Sequence, residues 1–169
     1  MSKYIAISWA DNTGKSNRIR ALKQELEKHW TVRVLEEIAR NYLHLEWDER
    51  QDAILKEEWE RYYNLYKRNY TEDYVLIDRT VSDTLFYTNY GVSKWVLSNF
   101  KAWYDTNVYD KVFLLSERVK ETNTDYYFCW QDFVDSFNKY IINKYSPILI
   151  PETDREERLD LILKNLIIR

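Results

Sequence analysis

Glycine is nearly missing from this 169-residue chain: Gly14 and Gly91 are the only two. Proline is as scarce, with Pro147 and Pro151. Cys129 is the single cysteine, so no internal disulfide can form, and a reducing cytoplasm is the expected location. His29 and His44 are the only histidines, too few beside one cysteine for a zinc site of Cys and His ligands. A basic surplus is also lacking: the formal net charge is -3, which argues against a protein that coats nucleic acid. No apolar run is long enough to span a bilayer, and the N-terminus lacks the basic-then-apolar pattern of a signal peptide, so no membrane partner is expected. Linkers and repeats are missing too, and residues 1–169 are expected to form one domain.

What the chain does have is aromatic residues, 15 tyrosines and 7 tryptophans, and a regular alternation of short apolar runs with helical patterns. Lys3 to Ser8 (KYIAIS) reads as a buried strand, and Ser16 to Trp30 as an amphipathic helix carrying Ile19, Leu22 and Leu26. Thr31 to Leu35 is a second strand, residues 36–43 turn helical, and a long helix begins at Asp48. That helix has an aromatic stripe, Trp59, Tyr62, Tyr63 and Tyr66, whose spacing predicts core packing rather than base stacking. Further strands are expected at 74–77, 111–115 and 147–150, and further helices at 82–90, 93–104, 128–144 and 155–168. Short strands that are apolar on both faces, alternating with helices, predict an α/β fold of three layers: a five-stranded, mostly parallel sheet with helices on both faces. The polar stretch 118–125 lacks apolar periodicity and reads as a loop.

One of the two glycines stands directly before Lys15-Ser16, between the first strand and the first helix. A strand, a glycine-containing loop and a helix N-terminus gather backbone N–H donors around one point, which suits phosphate. In such a loop Lys15 reaches the β- and γ-phosphates and the Ser16 hydroxyl ligates Mg²⁺. The full pattern G-x-x-x-x-G-K-[ST] is broken at its first glycine, where Trp9 stands. Either the loop closes with Trp9 at the end of the strand, or the substitution distorts it and triphosphate binding is lost.

Asp11-Asn12-Thr13-Gly14-Lys15-Ser16 resembles the phosphate loop of thymidylate kinases and their phage relatives, which has the form D-x-x-G-K-[ST]. Asp78 to Tyr87 (DRTVSDTLFY) is similar to that family's D-R-x-x-x-[SD]-x-x-x-Y segment, and Glu37-Ile38-Ala39-Arg40 to the E-x-x-R of P-loop kinases that include the nicotinamide riboside kinase domain. The resemblance implies a P-loop nucleoside or nucleotide kinase with ATP and Mg²⁺ as cofactors and a small-molecule nucleoside or nucleotide as partner; such kinases are often homodimers. It also implies a lid around residues 117–127, where Arg118 and Lys120 would neutralise the transferring phosphoryl.

The remaining candidates have roles to be weighed against ordinary surface chemistry. Asp78, at the end of the third strand, can hold Mg²⁺ through water or orient an arginine; a solvated loop acid is the alternative. Arg79 offers a planar fork suited to phosphate, and the resemblance has it contact the acceptor or the transferring group. Glu37, or Glu36 beside it, can take a proton from a nucleoside hydroxyl or bind sugar or base. Arg40, one turn on, either faces the same site or simply pairs with Glu37. Asp83 and Tyr87, four apart on one helix, can read the acceptor's ribose or base, though Asp83 also suits a helix start and Tyr87 a core. Pro151-Glu152-Thr153 follows the fifth strand, where such folds cradle adenine. The expected activity is transfer of the γ-phosphoryl of ATP to a nucleoside or nucleoside monophosphate. The alternative is a nucleotide-binding protein without turnover, with a degenerate phosphate loop. A dinucleotide-binding enzyme fits the Lys-Ser ending less well.

Overall fold

The computed structural model describes residues 1–9, 16–88, 107–115 and 131–167. In chain order these form β1 (Lys3–Ser8), α1 (Ser16–Leu26), β2 (Val32–Leu35), a 3-10 turn (Ile38–Tyr42), α2 (Trp47–Tyr66), β3 (Tyr74–Asp78), α3 (Val81–Thr88), β4 (Lys111–Leu115), α4 (Gln131–Tyr145), β5 (Ile148–Ile150) and α5 (Arg155–Ile167). The helix expected at 93–104 and the loop expected at 118–125 lie outside the described residues, as does Gly91.

The five strands are ordered β2-β3-β1-β4-β5, and every pairing is parallel. Ile7 sits opposite Asp78, Ser8 opposite Leu114 and Leu35 opposite Ile77, so the C-terminal ends of β1, β2, β3 and β4 share one edge of the sheet. The connection that follows β1 leaves the sheet at that edge, where the strand order reverses and open α/β sheets leave room for ligands.

Each strand face has its own helical layer. On one side Ile5, Ile7 and Trp9 of the first strand segment pack with Ile19, Leu22 and Leu26 of α1 and Ile162 and Leu166 of α5. On the other, Tyr4 and Ala6 meet Leu55, Tyr62 and Leu65 of α2 and Val81 and Leu85 of α3. Phe86 adds edge-on contacts to Phe133 and Phe137 of α4, whose apolar side closes the same layer over β4. The strands show no polar-out alternation because both faces are covered.

Trp9 continues the period of Ile5 and Ile7, and its indole is fully buried against α1. The side chain that replaces the expected glycine is therefore used as core beneath the first helix. Trp9→Ala should lower unfolding stability by about 3–5 kcal/mol through the cavity it leaves, measured by urea titration. A loss under about 1 kcal/mol would mean the indole is not packed as described.

Three features differ from the sequence reading. The first helix stops at Leu26, and residues 27–30 turn, because Trp30 packs edge-on against Tyr74 instead of continuing the helix. Residues 38–42 form a 3-10 turn, held to α2 by a bond from the Tyr42 hydroxyl to Glu57 (2.8 Å) and by Arg50, which donates to the carbonyls of Leu43 and Leu45. The aromatic stripe of α2 also divides: Trp59 and Tyr62 pack as core, whereas Tyr63 and Tyr66 are exposed and lie within reach of the Lys67 ammonium. The scarcity of glycine has its own trace. Arg68 and Ser146, just past α2 and α4, take the left-handed backbone (φ 54° and 46°) usually given to glycine at helix ends.

Candidate functional site

The candidate residues meet at the C-terminal edge of β2 and β3. Glu37 follows β2 and enters the 3-10 turn; Arg40 lies three residues on, on the eclipsed face that such a turn creates. Arg40 Nε is 3.3 Å from Glu37 Oε2, and Arg40 Nη2 is 3.9 Å from Asp78 Oδ2. Arg79 Nε is 2.7 Å from Glu37 Oε1, and both side chains are largely buried. Glu37 thus stands between two guanidiniums, and Asp78 is drawn to one of them. Four residues from two separate sequence motifs form one charge-balanced cluster.

The backbone at this corner is held in an uncommon state. Arg79 has φ 78°, the left-handed region that a residue with a Cβ enters at a cost. Its N–H donates to the carbonyl of Ile7 (3.0 Å), so the turn out of β3 is bonded to the end of β1. That bond and the Glu37 ion pair direct the guanidinium across the strand ends.

Asp83 is not at the rim of this cluster. It is fully buried, and its carboxylate accepts from the Ser8 hydroxyl (2.8 and 3.0 Å) and the Thr80 hydroxyl (2.6 Å). The Asp83 N–H in turn lies 3.3 Å from Thr80 Oγ1, so Thr80 and Asp83 cap the start of α3 reciprocally. Burial pushes the Asp83 carboxyl up to about 7, against the pull of Arg79 and the two hydroxyls. Glu58 of α2 faces the same interior, with the Thr84 hydroxyl at 3.4 Å and Arg61 at 3.8 Å. Burial pushes it up to about 7 as well, with the Asp83 charge adding to the rise and Arg61 opposing it. Arg61 also donates to the Glu36 carbonyl (2.6 Å), tying this interior to the segment that carries Glu37.

Two carboxyls raised in the folded state hold protons that the unfolded chain has already released above about pH 4. Their stabilising contribution is complete below that pH and is lost as pH rises through about 7. Unfolding stability at pH 5 should therefore exceed that at pH 8 by on the order of 3 kcal/mol, and Glu58→Gln should remove part of the difference. Urea titrations at the two pH values check this; equal stabilities would mean that the two carboxyls ionise freely.

The other candidates are placed as follows. Ser16 opens α1, and Tyr87 lies in α3. Asp11, Asn12, Thr13, Gly14 and Lys15 lie outside the described residues, as do Arg118 and Lys120. Glu36 is exposed and joins Arg20, Lys23, Glu27, Arg40 and Asp78 along a groove of about 320 Å³ beside α1. Pro151 and Glu152 are exposed before α5, whose start is capped by Asp154 accepting from the Glu157 N–H (2.9 Å). Among the described residues no group of three or more His, Cys, Asp or Glu could hold a metal ion, and no helix is long and apolar enough to cross a membrane. Magnesium needs no such cage, because it is commonly held by one or two protein oxygens with water and substrate phosphates. A carboxylate at the end of β3 and a serine at the start of α1 suit that binding mode.

The sequence reading missed the Ser8–Asp83–Thr80 cluster and Glu58. The T-x-x-D spacing of Thr80 and Asp83 is a helix-start signal that was available. Nothing local marks Ser8 or Glu58, which become partners only when β1, α2 and α3 are packed.

A family model described as an AAA domain matches residues 4–158. No curated protein sequence matches the chain. Among solved structures, deoxyadenosine kinase from M. mycoides with bound dATP aligns at TM-score 0.65 and 17% identity, over 97% of this chain and 98% of that one. The NadR protein in complex with NAD and AMP-PNP aligns at TM-score 0.65 and 13% identity over 99% of this chain, which spans only 50% of NadR. Thymidylate kinase from Candida albicans aligns at TM-score 0.62 and 13% identity, over 98% and 91% of the two chains. At such identities the likeness shows a shared three-layer α/β P-loop fold.

Proposed function

The chain belongs to the AAA domain family, and from that premise we propose that it is a phosphotransferase moving the γ-phosphoryl of ATP to a nucleoside or nucleoside monophosphate, with Mg²⁺. The observation that carries this reading is the cluster of Glu37, Arg40, Asp78 and Arg79 at the sheet edge where β1 gives way to the Gly14-Lys15-Ser16 segment. Two kinases are among the solved structures to which the fold is similar over nearly the whole chain, which supports the same activity.

In this reading Asp11 to Ser16 cradle the triphosphate, with Lys15 on its β- and γ-phosphates. Ser16 and Asp78 would hold Mg²⁺, which would neutralise charge on the transferring phosphoryl. The acceptor lies over Glu37 and Arg79, where Arg40 and Tyr87 help to bind it, and Arg118 and Lys120 close over the transferring group. An acceptor oxygen forms a bond to the γ-phosphorus as the bond to the β–γ bridging oxygen breaks, and ADP leaves. If the acceptor is a hydroxyl, its proton passes to Glu37; if it is a phosphate oxygen, no base is required. Because two carboxylates offset two guanidiniums, this cluster offers little excess positive charge for an acceptor that already bears a phosphate. That balance favours a nucleoside hydroxyl. Catalysis is then mainly positioning and charge neutralisation.

The alternative without turnover rests on Trp9, whose indole is buried beneath α1 as part of the core. A phosphoryl-transfer assay with ATP, Mg²⁺ and a panel of nucleosides and their monophosphates tests the proposal. Product from at least one acceptor is expected, with nucleosides preferred. ATP binding with no transfer to any acceptor would favour a nucleotide-binding role alone.

A further inference from the structure

We propose that Asp83 is a positioning residue that, through Ser8, braces the root of the phosphate loop against the corner presenting Asp78 and Arg79. The inference rests on reading residues 11–16 as a triphosphate-binding loop. It gives Asp83 a task other than contact with the acceptor.

The geometry is specific. Ser8 is the last residue of β1 and stands two residues before the Ala10–Lys15 stretch. Its hydroxyl lies between the two Asp83 oxygens, while Thr80 donates to one of them from the turn after Arg79. A second tie, Arg79 N–H to the Ile7 carbonyl, runs beside the first. Two adjacent residues at the end of β1 are thus fastened to two points of the β3–α3 corner. The Ser8, Thr80 and Asp83 side chains are all fully buried, so water cannot replace the bonds if one member is removed. The end of β1, which the phosphate-binding segment follows in sequence, and the backbone of Arg79 are set relative to one another by this contact.

The brace responds to charge. With Asp83 ionised, both hydroxyls donate to it; with Asp83 protonated, one of these charge-assisted bonds is weakened or reversed. Arg79 and Thr80 from its own corner and Ser8 from β1 oppose the rise that burial imposes on it, while Glu58 of α2, with its partners Arg61 and Thr84, and Tyr109 ahead of β4, whose hydroxyl accepts from the Val81 N–H, face the same interior and feel its charge. Tyr145 of α4 lies beyond, bonded to Ser82 and stacked edge-on to Tyr109. Nucleotide grip should accordingly strengthen as Asp83 ionises through neutral pH.

Isothermal titration of full-length wild type and Asp83→Asn with Mg-AMP-PNP between pH 5.5 and 8.5 tests this. The ratio of variant to wild-type Kd cancels the nucleotide's own titration. For Asp83→Asn it should rise from near one at pH 5.5 to about tenfold at pH 8.5, the effect of losing one hydrogen bond to a charged group. A ratio that stays flat overturns the brace. Hydrogen exchange at the Arg79 amide supplies a readout that needs no nucleotide: Asp83→Asn and Ser8→Ala should each speed it about tenfold at pH 8, and unchanged protection refutes the proposal. Ser8→Ala cuts the contact from the other side and carries the test if Asp83→Asn fails to fold. Failure of wild type to bind AMP-PNP at any pH would refute the phosphate-loop reading, and the exchange result would still decide whether Asp83 braces the two elements.

Discussion

Lys15→Ala is expected to lower phosphoryl transfer roughly 10³-fold or more while leaving the unfolding midpoint of the nucleotide-free protein within about 2 °C of wild type. The ammonium is the one side-chain cation in the Asp11–Ser16 segment, so no neighbour in that segment can take over its charge. In the proposed reaction it meets both the bound phosphates and the charge that shifts toward the β–γ bridge, so kcat and ATP affinity should fall together. Among the described residues, the core on either side of this segment is built by Trp9 and Ile19. A steady-state assay beside a thermal melt separates the outcomes. An active Lys15→Ala protein would show that the Gly14-Lys15-Ser16 sequence arose without function, and an unfolded one would show that the segment is structural.

Arg79→Ala is the second large effect. We expect kcat to fall about 10²- to 10³-fold with the KM for ATP changed less than about threefold, because in the proposed reaction the guanidinium, paired with Glu37, serves the acceptor rather than the bound ATP. Glu37 would keep Arg40 as a partner, so the carboxylate is not left uncompensated. Arg79→Lys should recover little, since an ammonium cannot reproduce a planar fork whose Nε lies 2.7 Å from Glu37. Backbone strain supplies an internal control. At φ 78° alanine gains nothing over arginine, whereas Arg79→Gly should be more stable than Arg79→Ala by up to about 1 kcal/mol and equally slow. Unchanged turnover in Arg79→Ala would reduce the residue to an ion pair that holds the 3-10 turn.

The sheet was legible because its signals are local. KYIAIS, YVLI and KVFLL are short apolar runs, and both faces of each are covered, so composition alone marked them as strands of a parallel sheet. The cluster of Glu37, Arg40, Asp78 and Arg79 was legible as two motifs at strand ends, and the register of β2, β3 and β1 then brought them together. The fate of Trp9 was not legible as a site question. Seen against the phosphate-loop pattern it is a lost glycine; seen against the period of Ile5 and Ile7 it is the next core residue, and the structure follows the second pattern. Asp83 escaped for a related reason. Its spacing from Tyr87 suggested a helix face turned to a ligand, but the face that carries it is turned inward to Ser8 on β1, a contact across 75 positions that no local window contains. The outward turn of Tyr63 and Tyr66 was hidden by the breadth of the aromatic stripe: a helix can bury only one side, and four aromatics spread over eight residues exceed it.

The account depends on a triphosphate being held at the end of β1 despite the buried indole at its last turn. Isothermal titration of Mg-ATP into wild type and Lys15→Ala at pH 8 measures this directly. The account predicts one site per chain in the wild type, with micromolar affinity on the order of -8 kcal/mol, and heat reduced to the dilution baseline in Lys15→Ala. Absence of binding in the wild type, or identical binding in the two proteins, would contradict it.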